Sequence, residues 1–343
     1  MRKKVAILGA TGLVGQRFVQ LLANHPIFEL TAVAASDASA GSRYESVGHW
    51  HLDSPIPKSV ANMVVQRCEP TLDCEYVFSA LPSDVAGPIE SAFAEAGYVV
   101  FSNASSHRMD KDVPLLIPEV NLEHLKLTRF QKTRGKIITN PNCSTIGLTM
   151  ALKPIADEFG ITQVSVVSMQ AVSGAGYPGV SAIDILDNVI PHIKNEEEKL
   201  STEPRKILGT LVEDHIRPAS FNITAQCNRV AVKDGHMLSV FINTQKRISL
   251  DSIVEAFGNF NPLEDMALPS CPERPVVLLR APDAPQPRLH RNLGNGMTVS
   301  VGRLVQTSET SIRFVALVHN TIRGAAGCAV LNAEVYSIAQ ITD

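Results

Sequence analysis

A glycine-rich loop between a predicted strand and a predicted helix, at the start of the chain, constrains the fold most. Residues 5–8 are apolar and predict a buried strand, residues 9–15 carry glycine at every third position, and residues 16–23 predict a helix. A second apolar run at 30–35 completes a βαβ unit. Glycine permits positive φ and close approach of the backbone to a phosphate, which then lies at the helix N-terminus. The segment predicts a dinucleotide-binding loop, although its spacing is GxxGxxG rather than GxGxxG.

The alternation of strands and helices continues to residue 142 and then changes. Strand-like runs at 76–81, 98–101 and 137–139, with a helix-like segment at 84–96, favour a parallel, doubly wound sheet. Later segments alternate polar and apolar residues with period two, which favours an antiparallel sheet with one covered face. These segments are 162–169, 222–232, 236–243, 297–304 and 310–318. The predicted fold class is α/β, with an N-terminal Rossmann-like dinucleotide-binding domain followed by an α+β domain whose sheet is mostly antiparallel.

The change of pattern also predicts the domain boundaries. The first domain spans 1–142 and is completed by a C-terminal helix within 320–343, whose small residues predict close packing against it. The second domain spans 143–319. Its predicted helices lie near 180–192, 203–215 and 250–257, and its Pro- and Gly-rich stretch 262–296 is predicted to be an ordered loop.

Composition excludes several classes of protein. The 343 residues carry a net charge of −3 without a long block of one sign, which argues against nucleic acid or an anionic membrane as partner. No apolar stretch approaches the length of a transmembrane helix, and the N-terminus does not read as a signal peptide. The six cysteines are scattered and show no CxxC pair. These features predict free thiols in a reducing cytoplasm, without a disulfide framework or a metal site.

Cys143 stands at the junction between an apolar run and a helix-like segment that opens with Ser144 and Thr145. Unpaired N–H groups at a helix N-terminus favour negative charge, so this position is expected to lower the pKa of the thiol. The same N–H groups can stabilise an oxyanion formed when a thiolate attacks a carbonyl. Taken alone, Cys143 is by default interpreted as a small packed core residue, because free cysteine is among the most buried residue types.

Six motifs in order give the chain a resemblance to a known family. They lie at residues 9–15, 102–109, 140–147, 170–176, 203–209 and 229–236. Together they resemble the aspartate-β-semialdehyde dehydrogenase family over essentially the whole chain. Segments 173–179 and 319–327 are typical of its archaeal and fungal branch.

The resemblance implies an enzyme, EC 1.2.1.11, of lysine, threonine, methionine and isoleucine biosynthesis. It reduces L-aspartyl-4-phosphate with NADPH to aspartate-4-semialdehyde and phosphate. On these residues, Cys143 is the nucleophile that forms a thioester, His236 is the acid/base and Gln170 positions the acyl group.

The resemblance also implies a substrate site. Arg229 holds the α-carboxylate, a task suited to its planar fork, and Arg108 and Asn142 share the phosphate site. Glu203 and Lys206, at i and i+3 on a predicted helix, face the same way; the family match assigns Glu203 to the substrate ammonium and Lys206 to the phosphate. Without that match, the pair reads as a surface salt bridge.

The predicted cofactor is NADP, without a metal. Asp37 follows the second strand and favours a free 2′-hydroxyl, whereas Ser36, Ser39 and Arg43 could hold a 2′-phosphate. The remaining predicted cofactor contacts are Gly9, Thr11, Gly12, Leu13, Val14, Gly15 and Ser79, and, near the nicotinamide, Ser173, Gly174, Ala175 and Asn320.

The family match further implies a homodimer or homotetramer that assembles through the second domain, which is then both catalytic and the dimerisation domain. Malonyl-CoA reductase on the same scaffold is the nearest alternative, but it lacks Asn142 and an equivalent of Lys206. N-acetylglutamyl-phosphate reductase is more distant, because its cysteine follows glycine. A nucleotide-sensing protein with an inactive site is the remaining alternative.

Overall fold

The computed structural model describes residues 2–342, with side chains described up to residue 339, so the outermost residues of the predicted domains, 1 and 343, lie outside it. The first sheet has six parallel strands in the order β3-β2-β1-β4-β5-β6. The strands are β1 Lys3–Leu8, β2 Phe28–Ala35, β3 Gln66–Arg67, β4 Tyr76–Ser79, β5 Val99–Ser102 and β6 Lys136–Thr139. This confirms the predicted Rossmann-like sheet.

Helices cover both faces of this sheet. The helices in this part of the chain are α1 Leu13–Leu22, α2 Lys58–Ala61, α3 Ser83–Ala96, α4 Pro118–Asn121 and α5 Cys143–Phe159, of which α5 packs on the second sheet instead. The last helix, α10 Gly327–Thr342, follows a π-helical turn at Ile322–Ala326 and packs with α1 on one face of the first sheet, as its small residues predicted. Helix α3 covers the other face.

The second sheet is mixed, which corrects the expectation of a mostly antiparallel sheet. Its order is β10-β7-β11-β14-β13-β12; β7 pairs in parallel with β10, β12 pairs in parallel with β13, and the other three pairs are antiparallel. Alternation of side chains reports one covered face but carries no information on the direction of the neighbouring strand. The strands are β7 Ile161–Gln170, β10 Asn222–Arg229, β11 His236–Thr244, β12 Val276–Leu278, β13 Val299–Ser308 and β14 Ser311–Val318.

The remaining elements of this half differ from the sequence predictions in their limits. Helix α7 runs over Glu196–Ile207 and ends before a hairpin of β8 Thr210–Val212 and β9 His215–Arg217, so the helix predicted at 203–215 is wrong beyond residue 207. The helix predicted at 180–192 is only α6 Ala182–Ile185, α8 is Leu250–Asn259, and α9 is Pro287–His290. A common core joins α5, α7 and α8 to the covered face of the second sheet. None of the described helices has both the length and the apolar character needed to cross a membrane.

Candidate active site

A cleft of about 570 Å³ lies where the strands of both sheets end. In the first sheet, the loops that follow β4, β5 and β6 line it. In the second sheet, parallel pairing of β7 with β10 places Gln170 beside Arg229 at one edge. Strand β11 runs the other way, so its first residue, His236, lies at that edge too. Of the predicted site residues, those lining the cleft are Val14, Arg108, Asn142, Cys143, Gln170, Ser173, Gly174, Ala175, Arg229 and Asn320.

Cys143 is the first residue of α5, and Asn142 is its N-cap. Oδ1 of Asn142 accepts hydrogen bonds from the backbone N–H groups of Ser144 at 3.0 Å and Thr145 at 3.3 Å. The π-helical turn at Ile322–Ala326 packs against the other side of Cys143, since a Cβ added to Gly324 would lie 2.7 Å from the Cβ of Cys143. Capping and close packing therefore hold the thiol in one place at the edge of the cleft.

The thiol of Cys143 does not have the lowered pKa that the helix N-terminus predicted. Burial raises its pKa to about 12, and the nearby carboxylate of Glu196 adds to the rise. Arg108, Lys199 and the N–H of Ser144 act in the opposite direction but are outweighed. The helix N-terminus contributes as expected, but the loss of solvation is the larger effect.

His236 is fully buried, and the backbone N–H of Ala171 donates to its Nδ1 at 3.0 Å. Because Nδ1 is the acceptor, the neutral ring carries its proton on Nε2, an atom without a partner among the described residues. Burial, then the charges of Arg229 and His319, lower the pKa of His236 to about 3. The ring is thus neutral near pH 7 and presents an N–H donor on its free side.

Gly174 packs against both His236 and Arg229. A Cβ added there would lie 2.9 Å from a terminal nitrogen of Arg229 and 3.0 Å from Nε2 of His236. Arg229 also donates to the carbonyl of Ala171 at 2.7 Å. Asn320 joins this group, since its Oδ1 accepts from the N–H of Gly235 at 2.8 Å and its Nδ2 donates to Oγ of Ser173 at 2.8 Å. Two of the predicted nicotinamide-side residues, Ser173 and Asn320, are therefore hydrogen-bonded to each other.

Glu203 and Lys206, the rear pair of α7, do not line the cleft. Glu203 accepts from Arg108 at 2.8 Å and from the backbone N–H of Asn142 at 2.7 Å. Lys206 donates to the carbonyls of Arg108 at 2.7 Å, Asp110 at 2.8 Å and Val113 at 3.0 Å, so protein acceptors take all three ammonium protons. The direct contacts with ammonium and phosphate predicted for this pair do not fit its position, because both side chains already have protein partners.

Glu196 and Lys199, the front pair of α7, line the cleft, although the charge cluster at 196–199 is by default expected to be a solvated face and neither residue was among the predicted site residues. The carboxylate of Glu196 accepts from Nδ2 of Asn142 at 2.9 Å, Nε2 of Gln170 at 3.1 Å and Nζ of Lys199 at 3.0 Å. Among the described residues, Glu196 is the only carboxylate that lines the cleft. The available signal was that the pair has the same Glu-x-x-Lys spacing as the rear pair, seven residues earlier.

The glycine-rich loop has the geometry of a phosphate-binding turn. Gly9 has φ of +75°, and a Cβ on Gly15 would lie 2.1 Å from the carbonyl oxygen of Gly9, so larger residues are excluded at both positions. Gly12 is the N-cap of α1, which Thr11 precedes and Leu13 begins. The open N–H groups there suit a pyrophosphate. Ser79 is fully buried rather than at the cleft surface, so the structure does not place its side chain as a cofactor contact.

The end of β2 carries an acid–base pair that the sequence did not predict. Strand β3 places Arg67 opposite Ala35, and Nε of Arg67 lies 3.5 Å from Oδ1 of Asp37. Ser36 and Ser39 belong to the same exposed turn, where the N–H of Ser39 donates to the carbonyl of Ser36 at 2.9 Å. Both a carboxylate and a guanidinium thus stand where a bound adenosine ribose would lie.

Comparisons with known proteins agree with this architecture. Residues 4–128 match the family model of the semialdehyde dehydrogenase NAD binding domain, and residues 152–323 match that of the semialdehyde dehydrogenase dimerisation domain. The aspartate-semialdehyde dehydrogenase of Methanothermobacter thermautotrophicus is 51% identical over 339 residues, covering 96% of this chain and 97% of the relative. That of Schizosaccharomyces pombe is 45% identical over 353 residues, covering 97% of each.

Solved structures give the same result. The aspartate semialdehyde dehydrogenase of Candida albicans with NADP superposes with a TM-score of 0.90 at 40% identity, covering 98% of this chain and 99% of the other. Aspartate semialdehyde dehydrogenase II of Vibrio cholerae, complexed with ASA, superposes with a TM-score of 0.79 at 27% identity, covering 98% and 99%. The chain therefore belongs to the aspartate-semialdehyde dehydrogenase family of nucleotide-dependent oxidoreductases.

Proposed function

We propose that this protein catalyses NADPH-dependent reductive dephosphorylation of L-aspartyl-4-phosphate to aspartate-4-semialdehyde. The observation that carries the proposal is the capped Cys143 in a cleft that also contains Arg108, Arg229 and Glu196. These two guanidinium groups and one carboxylate match a substrate with a phosphate, an α-carboxylate and an ammonium group. The comparisons lend no support to malonyl-CoA reductase or to an inactive nucleotide sensor.

In this proposal Cys143 attacks the acyl phosphate, a thioester forms and phosphate leaves. The thiol proton departs with the phosphate as hydrogen phosphate, so the step balances without a protein base. Val14, Ser173 and Asn320 line the part of the cleft that would hold a nicotinamide dinucleotide, which would supply the hydride. His236 offers Nε2–H to the oxygen that becomes negative, because its Nδ1 is held by Ala171. In this proposal His236, for which the family resemblance implied an acid/base role, acts as a hydrogen-bond donor and does not take the thiol proton.

The substrate contacts are proposed as follows. Arg229 binds the α-carboxylate, Arg108 and Asn142 bind the phosphate, and Gln170 positions the acyl group. The ammonium and phosphate contacts that the family resemblance assigned to the rear pair of α7 are reassigned to the front pair. Glu196 faces the ammonium and Lys199 faces the phosphate. The position of Glu196 and Lys199 on the cleft wall supports this assignment.

The direct test is reduction of NADP by purified protein supplied with aspartate-4-semialdehyde and phosphate. Turnover is expected to require phosphate and to disappear in Cys143→Ala, since that variant cannot form the thioester. Absence of phosphate-dependent turnover, together with NADPH oxidation on addition of malonyl-CoA, would overturn the proposed substrate.

For the cofactor, we propose NADP, with Arg67 and Ser39 holding the 2′-phosphate and Asp37 weakening that preference. The proximity of Arg67 to the end of β2 supports this role. Arg67→Ala is expected to lower the ratio of kcat/KM for NADP over NAD about tenfold, the effect of one charge-assisted hydrogen bond. Asp37→Ala is expected to raise it. An unchanged ratio in both variants would remove Arg67 from the site.

We also propose that copies of the chain assemble through the second domain as a homodimer or homotetramer in the cytoplasm. The proposed domain boundaries are 1–142 with 320–343, and 143–319. Exposed apolar side chains between β7 and α7, at Tyr177, Ile183, Leu186 and Val189, support an interface there. Sedimentation equilibrium measures the assembly, and a monomer at micromolar concentration would contradict it.

A further inference from the structure

The rear pair of α7 connects two parts of the cleft that are remote in sequence. The carboxylate of Glu203 lies between the guanidinium of Arg108, from the loop after β5, and the backbone N–H of Asn142, the cap of α5. The side chains of Glu203 and Arg108 are 4% and 8% exposed, so little water competes for these bonds. A buried carboxylate shared by two donors fixes both relative to each other.

Arg108 is held on several sides while it still lines the cleft. One terminal nitrogen donates to Glu203 at 2.8 Å, the other donates to the carbonyl of Asn103 at 2.8 Å, and Nε has no partner among the described residues. Lys206 anchors the carbonyl of Arg108 itself and those of Asp110 and Val113. Both the backbone and the side chain of Arg108 are therefore positioned by α7.

We propose that Glu203 is a positioning residue that couples the phosphate-binding arginine to the cap of the nucleophile's helix. It touches neither substrate nor cofactor and acts through Arg108 and Asn142. The inference rests on the proposed function, because it takes Arg108 as the phosphate ligand. It assigns to Glu203 a role different from ammonium binding, in which each carboxylate oxygen accepts from one of the two groups.

The test uses Glu203→Gln, whose amide has one acceptor atom and therefore leaves one of the two donors facing an NH₂ group. Glu198→Gln, on the exposed side of the same helix, is the matched control. Inorganic phosphate binding is read from protection of Cys143 against iodoacetamide, and KM for phosphate is read from turnover. In Glu203→Gln the dissociation constant and the KM for phosphate are both expected to rise about tenfold, whereas KM for NADP should stay within about twofold of wild type.

A double-mutant cycle with Arg108→Ala separates positioning from general loosening. If Glu203 acts on phosphate through Arg108, adding Glu203→Gln to Arg108→Ala changes phosphate affinity by less than about twofold. The proposal would be overturned if the two substitutions weakened phosphate binding independently, so that their effects multiplied in the double variant. It would also be overturned if Glu203→Gln bound phosphate with wild-type affinity. Should the Gln variant not fold, Glu203→Asp replaces it, because the shorter carboxylate cannot reach both donors.

The two proposals fail differently. If the proposed function is wrong, the wild type shows no phosphate-dependent turnover. If only the role of Glu203 is wrong, the wild type turns over and binds phosphate, and Glu203→Gln does the same with equal affinity.

Discussion

The front and rear pairs of α7 have the same sequence spacing and opposite surroundings. Glu196 and Lys199 precede Glu203 and Lys206 by seven residues, which is two helical turns, so all four side chains lie on one face. The front pair meets the cleft, whereas the rear pair, about 10 Å farther along the axis, meets the loop after β5. The comparison teaches that a Glu-x-x-Lys motif presents two charges to one side, and that the packed neighbour decides whether they bind a ligand or the protein.

The largest expected difference is in stability. Glu203→Ala leaves the buried guanidinium of Arg108 without its carboxylate, so the free energy of unfolding is expected to fall by about 3–5 kcal/mol. Glu196→Ala is expected to cost only about 1 kcal/mol, since its charged partner Lys199 is partly exposed and can turn to water in the cleft. Urea denaturation at equal protein concentration measures both. Equal losses would break the distinction between the pairs.

Substitution of the two lysines is expected to affect different properties: stability for Lys206 and phosphate binding for Lys199. Lys206→Met leaves three carbonyls without a donor and should lower the free energy of unfolding by about 1–3 kcal/mol. Lys199→Met should leave stability nearly unchanged and raise KM for phosphate about tenfold, because it removes a charged ligand from the cleft. Thermal unfolding and phosphate titration of the two variants give the answer. A rise in KM confined to Lys206→Met would restore the original assignment.

The smallest expected effect is on the rate at which iodoacetamide alkylates the thiol of Cys143. With the pKa of Cys143 raised to about 12, the iodoacetamide reaction should speed up about tenfold per pH unit from neutral pH upward, without a plateau below pH 10. The carboxylate of Glu196 is the second cause of that raised pKa. Glu196→Gln should therefore lower the pKa and quicken alkylation at fixed pH by less than about tenfold.

Glu198→Gln on the same helix is the control for that measurement, and its alkylation rate should match wild type. A plateau near pH 8 in the wild type would show that the thiolate is already stabilised in the free enzyme. An unaltered rate in Glu196→Gln would show that its charge does not reach the sulfur.

Features that depend on a few consecutive residues could be predicted from the sequence. The loop at 9–15, the parallel first sheet, the packing of the last helix against that sheet and the helix-terminal position of Cys143 all follow from local patterns. Each needs only the steric demand of glycine, the period of apolar residues or the capping of one helix.

Features that depend on which remote segments pack together could not be predicted from the sequence. The alternation in β10 resembles that of an antiparallel strand, yet its parallel pairing with β7 is what places Arg229 beside Gln170. The helix predicted at 203–215 ends at residue 207 because the next residues pair as β8 and β9. Arg67 reaches Asp37 only through the pairing of β3 with β2, so no spacing in the chain announces it.

Sequence patterns were enough to predict the family, the Rossmann-like half, the position of Cys143 at a helix N-terminus and several of the polar residues that line the cleft. Tertiary structure alone decided which of those residues face the cleft, which pair of α7 is enclosed by protein, and on which nitrogen His236 carries its proton. The physical reason is that propensity, capping and periodicity act between neighbours in the chain. Burial, pKa and hydrogen-bond partners instead depend on groups that folding brings together from remote positions.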